Sequence, residues 1–301
     1  MSIVLVPDLD DLLAESTRPP RLLTRLLARA ESRPLDAAHF QSELVLGRSV
    51  APAALTRRLD SPSDAGGAWL RADPVHLVPD LNAVWLRPGA RLDPAHPVVA
   101  ELAGIAREAG LEFSLPNPDR GYLRLSRSPE SRFQPPWLLA GESLDHVEPA
   151  GSDSRYWRRL LSEFQVMLHQ HSDEAEPGFP TGIWLWGAGS LPAQTPGSAR
   201  VERITATDPV LRALAEWLGL ECSSPTDARS PEARTLFEWQ AEVGRSADDN
   251  LEALAGWLRP LWRRLRTGRL DQLELASRTR AWRLTPLAAW RFWQRRVDRD
   301  Q

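Results

Sequence analysis

The chain of 301 residues contains no lysine, and all 37 of its basic residues are arginine. Schiff-base chemistry and a phosphate-loop lysine are therefore excluded. Cysteine occurs once, at Cys222, which rules out an internal disulfide and a cysteine-rich metal site. No apolar run approaches the roughly 18 residues that a membrane helix needs. The opening residues, Met1 to Asp11, lack a basic stretch and meet acids at once, so no secretory signal is expected. A formal net charge of −3 provides no global attraction to nucleic acid. These absences point to a cytoplasmic location with no membrane partner.

What is present suits a globular protein, with 42% apolar and 26% charged residues. The 13 tryptophans admit packing, base-stacking or carbohydrate-stacking roles. Trp157, Trp184, Trp217 and Trp257 lie within apolar patterns, which favours packing.

The stretch from Ser152 to Pro192 organises the chain. Ser152, Asp153 and Ser154 form a helix start signal. Trp157, Leu160, Leu161, Phe164, Met167 and Leu168 then recur on one helical face. Ile183 to Trp186 reads as a strand covered on both faces, ended at Gly187-Ala188-Gly189. Upstream, Ile3 to Val6 suggests a short strand. Arg21 to Ala30 and Asp36 to Leu46 suggest helices, and residues 47–66 a loop or weak helix. Residues 68–86 read as a hairpin, with Pro74 confining the first strand to an edge or bulge. Asp93 to Ala109 is expected to be helical, with Gly110 as its stop. Strands are expected at Leu111 to Leu115 and Tyr122 to Leu125. Downstream, Val201 to Thr205 suggests a strand, Asp208-Pro209 caps a helix ending at Gly219, and residues 221–231 read as a polar linker. Asp248 to Arg266 is an amphipathic helix that Pro260 should kink. Leu270 to Leu284 reads as a hairpin, and Ala288 to Val297 as a closing helix.

This pattern predicts an α+β fold, with mixed α/β as the alternative. A central mixed sheet would carry packed helices and a smaller C-terminal helix-hairpin-helix region. Three segments are expected: 1–60 with a strand and helices, 61–195 as the central α+β domain, and 196–301 as a mainly helical region with a final hairpin.

Candidate sites each have a structural counterpart. Asp73 and His76 are a candidate metal or acid–base pair, or part of a bulged strand edge. His169 and His171 sit two apart and face different directions on a helix; a frayed helix end is the structural alternative to a metal site. Gly187 and Gly189 are candidates for cradling phosphate in backbone amides. Arg71, Arg120, Arg124 and Arg158 are candidate anion ligands, or solvated arginines. Residues 257–299 interleave arginines with aromatics, including Arg263, Arg264, Arg291 and Trp293. That mixture suits single-stranded nucleic acid, or an amphipathic helix pair with tryptophans inward and arginines outward.

Trp69 to His76, Gly121 to Leu125 and Ile183 to Gly189, with the helix from Trp157 to His169, occur here in a set order. Together they resemble the RpfE-type regulatory proteins of proteobacteria, often labelled cofactor-independent phosphoglycerate mutases. The resemblance spans roughly residues 60–300 and implies a link to diffusible-signal regulation, with a protein partner. In archaeal-type mutases a comparable helix and strand lie beside a domain inserted in a phosphatase-like core that binds two metal ions. Val6-Pro7-Asp8 resembles the first metal aspartate of that core, but the remaining ligand set is not found. The resemblance therefore implies a non-catalytic regulatory or interaction protein with no cofactor. The enzyme alternative is a metal-dependent mutase or phosphatase using Asp73, His76 or His171 with a divalent ion.

Overall fold

A computed structural model describes residues 1–80, 83–140, 144, 149–171, 178–193, 197–225 and 234–290. In chain order it begins with β1 (Ser2–Leu5), α1 (Leu9–Glu15), α2 (Arg21–Arg29), β2 (Glu31–Pro34) and α3 (Phe40–Leu46). Next come α4 (Pro52–Asp60), β3 (Ala68–Asp80), β4 (Ala83–Arg87), α5 (Val98–Glu108), β5 (Glu112–Asn117), β6 (Arg120–Leu125), α6 (Ser154–His171) and β7 (Gly182–Ser190). The last part holds β8 (Arg203–Thr205), α7 (Pro209–Leu218), β9 (Glu221–Ser223), β10 (Thr235–Glu238), α8 (Ala247–Arg266), β11 (Leu273–Ala276), β12 (Arg280–Leu284) and α9 (Pro286–Ala289). The fold is α+β. No helix among the described residues is long and apolar enough to cross a membrane.

Two compact units result. One joins Met1–Ser49 to Thr195–Gln301, and the other is the continuous stretch Val50–Gln194. This differs from three consecutive segments, and the reason is β1. It lies parallel between β10 and β11, with Ile3 level with Leu236 on one side and Glu274 on the other. The N-terminal strand therefore belongs to the same sheet as the C-terminal strands. The C-terminal region carries the long helix α8 and also supplies five of the seven strands in the order β2-β12-β11-β1-β10-β8-β9. The polar stretch expected to be a linker provides the edge strand β9, paired parallel to β8.

Val4 of β1 faces a core made with Leu273 and Leu275 of β11 and with Leu251, Leu254, Leu258, Leu261 and Leu265 of α8. Ile3 and Leu5 point the other way and are also fully buried. A parallel sheet covered on both faces accounts for the unbroken apolar run. The N-terminus of α8 is capped by Ser246, whose hydroxyl accepts from the Asp249 amide at 3.1 Å. Pro260 lies inside α8. At α7, the Asp208 carboxylate accepts from the Leu211 amide at 2.9 Å, and Gly219 ends the helix in the left-handed region at φ 66°.

In the second unit β3 is the central strand. It pairs with β6 and then β4 along one edge and with β7 along the other. Pairing with β6 ends at Arg71 and pairing with β4 begins at His76, which leaves a notch between them. The Val75 carbonyl accepts from Thr181 on the β7 side. Backbone groups alternate along a strand, so the missing amide of Pro74 falls on the notch side and no ladder bond is lost.

Side chains also alternate across β3. Leu70 and Ala72 pack against α5 and α6 through Leu102, Ala106, Leu160 and Phe164. Trp69 turns to the other face, against Ala53 and Ala54 of α4. That helix lies where the sequence suggested a loop or weak helix. It starts with Pro52 and is buried from Pro52 to Arg57, so no exposed stripe marks it.

β7 does not end at Gly187. Pairing runs from Arg71–Trp186 to Trp69–Gly189, so one extra residue bulges from β7. Gly187 has φ 70° and Gly189 φ 144°. A Cβ at Gly189 would lie 2.7 Å from the Ala51 Cβ. Glycine is needed here for close approach of the α4 N-terminus as well as for its backbone conformation.

Candidate functional site

Open parallel sheets hold ligands beyond the carboxyl ends of their strands. In the first unit those ends belong to β8, β10, β1 and β11. Glu238, the last residue of β10, is buried. Its Oε2 accepts from the Thr207 amide at 2.7 Å, the Thr207 hydroxyl at 3.1 Å and the Asp208 amide at 3.0 Å. Gln240 donates to the same hydroxyl at 2.5 Å. The second oxygen of Asp208 accepts from Gln41 of α3 at 3.2 Å. Burial, helped by the nearby charge of Glu238, pushes the Asp208 carboxyl above the ordinary range. The neighbouring ends carry Asp8 after β1 and Arg278 after β11. Arg278 Nη1 donates to Asp8 Oδ1 at 2.5 Å, and the Thr279 hydroxyl donates to Asp10 Oδ2 at 2.7 Å. Among the described residues no group of three or more His, Cys, Asp or Glu is arranged to hold a metal ion.

The second unit holds a buried polar network under α4. Arg71 donates through Nε and Nη2 to both oxygens of Asp73, each at 2.8 Å. Trp186 Nε1 donates to Asp73 Oδ2 at 2.6 Å, and Arg71 Nη1 donates to the Thr56 hydroxyl at 3.2 Å. The guanidinium of Arg71 lies 4.9 Å from the Trp186 ring centre. Burial alone would lower the Arg71 pKa, and the Asp73 carboxylate more than reverses this. Beside them, Arg120 grips Asp60 with two bonds of 2.8 Å, and the Tyr122 hydroxyl donates to Asp60 at 2.6 Å. Burial, then Asp60, pushes the Tyr122 phenol well up.

The sequence-derived residues do not converge. Asp73 is bound to Arg71, while His76 lies three residues further along the strand, level with Arg87 of β4. An odd spacing on a strand places two side chains on opposite faces. His171 closes α6, with Nε2 3.0 Å from Glu101 Oε1 and Nδ1 3.1 Å from the Met167 carbonyl. The His96 ring is 6.1 Å away. Arg124 lies 3.6 Å from Asp64 and 3.5 Å from Glu112, and 5.6 Å from the Trp69 ring centre. Gly187 and Gly189 face Pro52 and Ala51 at the start of α4. Arg263 and Arg264 occupy the last turn of α8, where cations complement the helix dipole. Nearby, Arg266 lies 4.3 Å over the Trp290 ring. Arg291 and Trp293 lie outside the described residues. The sequence reading overlooked Arg278, Thr207 and Glu238. Their available signal is position, since each ends a short strand or follows one by two residues.

No family model matches the chain, and no curated protein matches it. Solved structures similar at low identity include the following two. One is a cofactor-independent phosphoglycerate mutase from Thermoplasma acidophilum DSM 1728, with 15% identity, 94% of this chain and 89% of that chain covered, and a TM-score of 0.38. The other is the PH0037 protein from Pyrococcus horikoshii, with 9% identity, 94% and 87% coverage, and a TM-score of 0.38.

Proposed function

We propose that this protein acts by binding, as a cytoplasmic regulatory or interaction protein, and does not turn over a phosphorylated substrate. One observation carries the reading. Asp8, the residue that resembles a metal aspartate, is paired at 2.5 Å with Arg278. A guanidinium is charged at every accessible pH, and here it bonds directly to Oδ1, one of the two oxygens that Asp8 could offer a divalent cation. The neighbouring Glu238 adds support, because three protein donors already converge on its Oε2. A carboxylate oxygen that already carries a guanidinium or three donors is a poor general base and a poor metal ligand.

The test is a turnover assay on the full chain with added manganese, using 2-phosphoglycerate, 3-phosphoglycerate and p-nitrophenyl phosphate. No rate above background is expected, and calorimetry with manganese alone should show no stoichiometric uptake. Enzyme-dependent turnover of any of the three substrates, or one-to-one manganese binding that Asp8→Asn abolishes, overturns the reading.

A further inference from the structure

The second unit contains a cavity of about 310 Å³ where the C-terminus of α5 meets the N-terminus of α6. Its volume lies at the lower end of the small-molecule range. Leu111, Leu125 and Pro129 contribute an apolar lining, and Tyr156 and Trp157 an aromatic one. The two rings sit edge to face, 4.9 Å apart. Tyr156 is fixed across the opening, its hydroxyl donating 2.7 Å to the Ala109 carbonyl.

Two opposite charges line the same cavity. Arg127 is exposed, and among the described residues it has no hydrogen bond and no ion pair. Asp153 is held by the Ser131 hydroxyl at 2.5 Å, Trp157 Nε1 at 2.9 Å and the Glu130 amide at 3.0 Å. Burial would raise its pKa, but these bonds hold it down at about 2, so it is ionised under ordinary conditions. Ala109 and Gly110, just past the end of α5, add the negative end of one helix dipole, and the first turn of α6 adds the positive end of another.

We infer that this cavity binds a small amino acid with an apolar side chain. The ammonium group would be drawn to Asp153 and the carbonyl end of α5. The carboxylate would pair with Arg127, and the side chain would lie against Leu111, Leu125 and the aromatic pair. A ligand of single charge is disfavoured, because an anion meets Asp153 and a cation meets Arg127. The inference goes beyond the binding role proposed above and involves none of its residues.

The experiment is calorimetric titration of the full chain with L-leucine and L-phenylalanine. The comparison ligands are 4-methylpentanoate, which lacks the ammonium, and 3-methylbutylamine, which lacks the carboxylate. At least one amino acid should bind saturably, and both single-charge analogues at least tenfold more weakly. Arg127→Gln should weaken the amino acid tenfold or more while leaving the circular dichroism spectrum unchanged. The inference is overturned if neither amino acid saturates by about 10 mM, a weak-binding limit. It is equally overturned if an analogue matches the amino acid, or if the Arg127→Gln protein binds as tightly.

Discussion

Replacing Asp73 by alanine tests whether this carboxylate is a structural anchor or a free acid. The substitution removes two acceptors from Arg71 at 2.8 Å and one from Trp186 at 2.6 Å. Arg71 is only 4% exposed, so water cannot replace what it loses. Breaking a buried ion pair from one side costs about 3–5 kcal/mol. An orphaned buried indole N–H adds about 1–3 kcal/mol. The two losses share one cluster and do not add fully, so about 4–6 kcal/mol is expected. That is a large share of a typical stability of about 5–15 kcal/mol. With a urea slope of roughly 2 kcal/mol/M, the midpoint should fall by about 2–3 M. Urea titration followed by circular dichroism measures it. The double change Arg71→Met with Asp73→Leu should recover the ion-pair share of the loss, because no charge is then left buried, while the Trp186 N–H stays unpaired. His76→Ala should move stability by no more than about 0.5 kcal/mol. An Asp73→Ala midpoint within about 0.3 M of the parent, or equal to that of His76→Ala, would refute the anchoring role.

Asp153 should stabilise the fold above the ordinary carboxylate pKa of 3.8, and that contribution should vanish as pH falls toward about 2. The difference in melting temperature between the parent and Asp153→Asn should therefore close between pH 4 and pH 2. Asp208 runs the other way. Its pKa is raised on folding, so its charged form weakens the fold as pH rises. Asp208→Asn keeps a capping oxygen and should be neutral or stabilising at pH 7, whereas Asp208→Ala should cost about 1 kcal/mol in urea titration. Gly189→Ala should cost about 1–3 kcal/mol through the 2.7 Å clash with Ala51. Gly197→Ala, which meets no atom within 4 Å, should change the same measurement by less than about 0.5 kcal/mol.

Where a local signal controlled the outcome, it could be read. Asp208, Pro209 and Gly219 mark α7 because capping and left-handed termination are local events. The apolar face of α6 is visible because one side of that helix is solvated. α4 was hidden for the opposite reason: its first six residues are all buried, so no periodic contrast exists. Gly187 looked like a strand end because a glycine that permits a bulge has the same sequence signature as one that permits a turn. The placement of β1 between β10 and β11 depends on partners more than 200 residues away and had no local trace. The Arg278–Asp8 pair spans 270 positions and was invisible for the same reason. Arg71 and Asp73 were both singled out in sequence, but as separate candidates. Their partnership needed the strand geometry that sets i and i+2 on one face.

The position of β1 also fixes an order of events during synthesis. Both of its neighbours in the sheet lie more than 200 residues downstream, so β1 must wait, unpaired, while that length of chain is produced. The continuous unit from Val50 to Gln194 has no such dependence, and its strands pair only among themselves. Contiguous domains generally fold as they emerge. Ribosomes halted after about 240 residues should therefore display a protease-resistant interior flanked by cleavable ends.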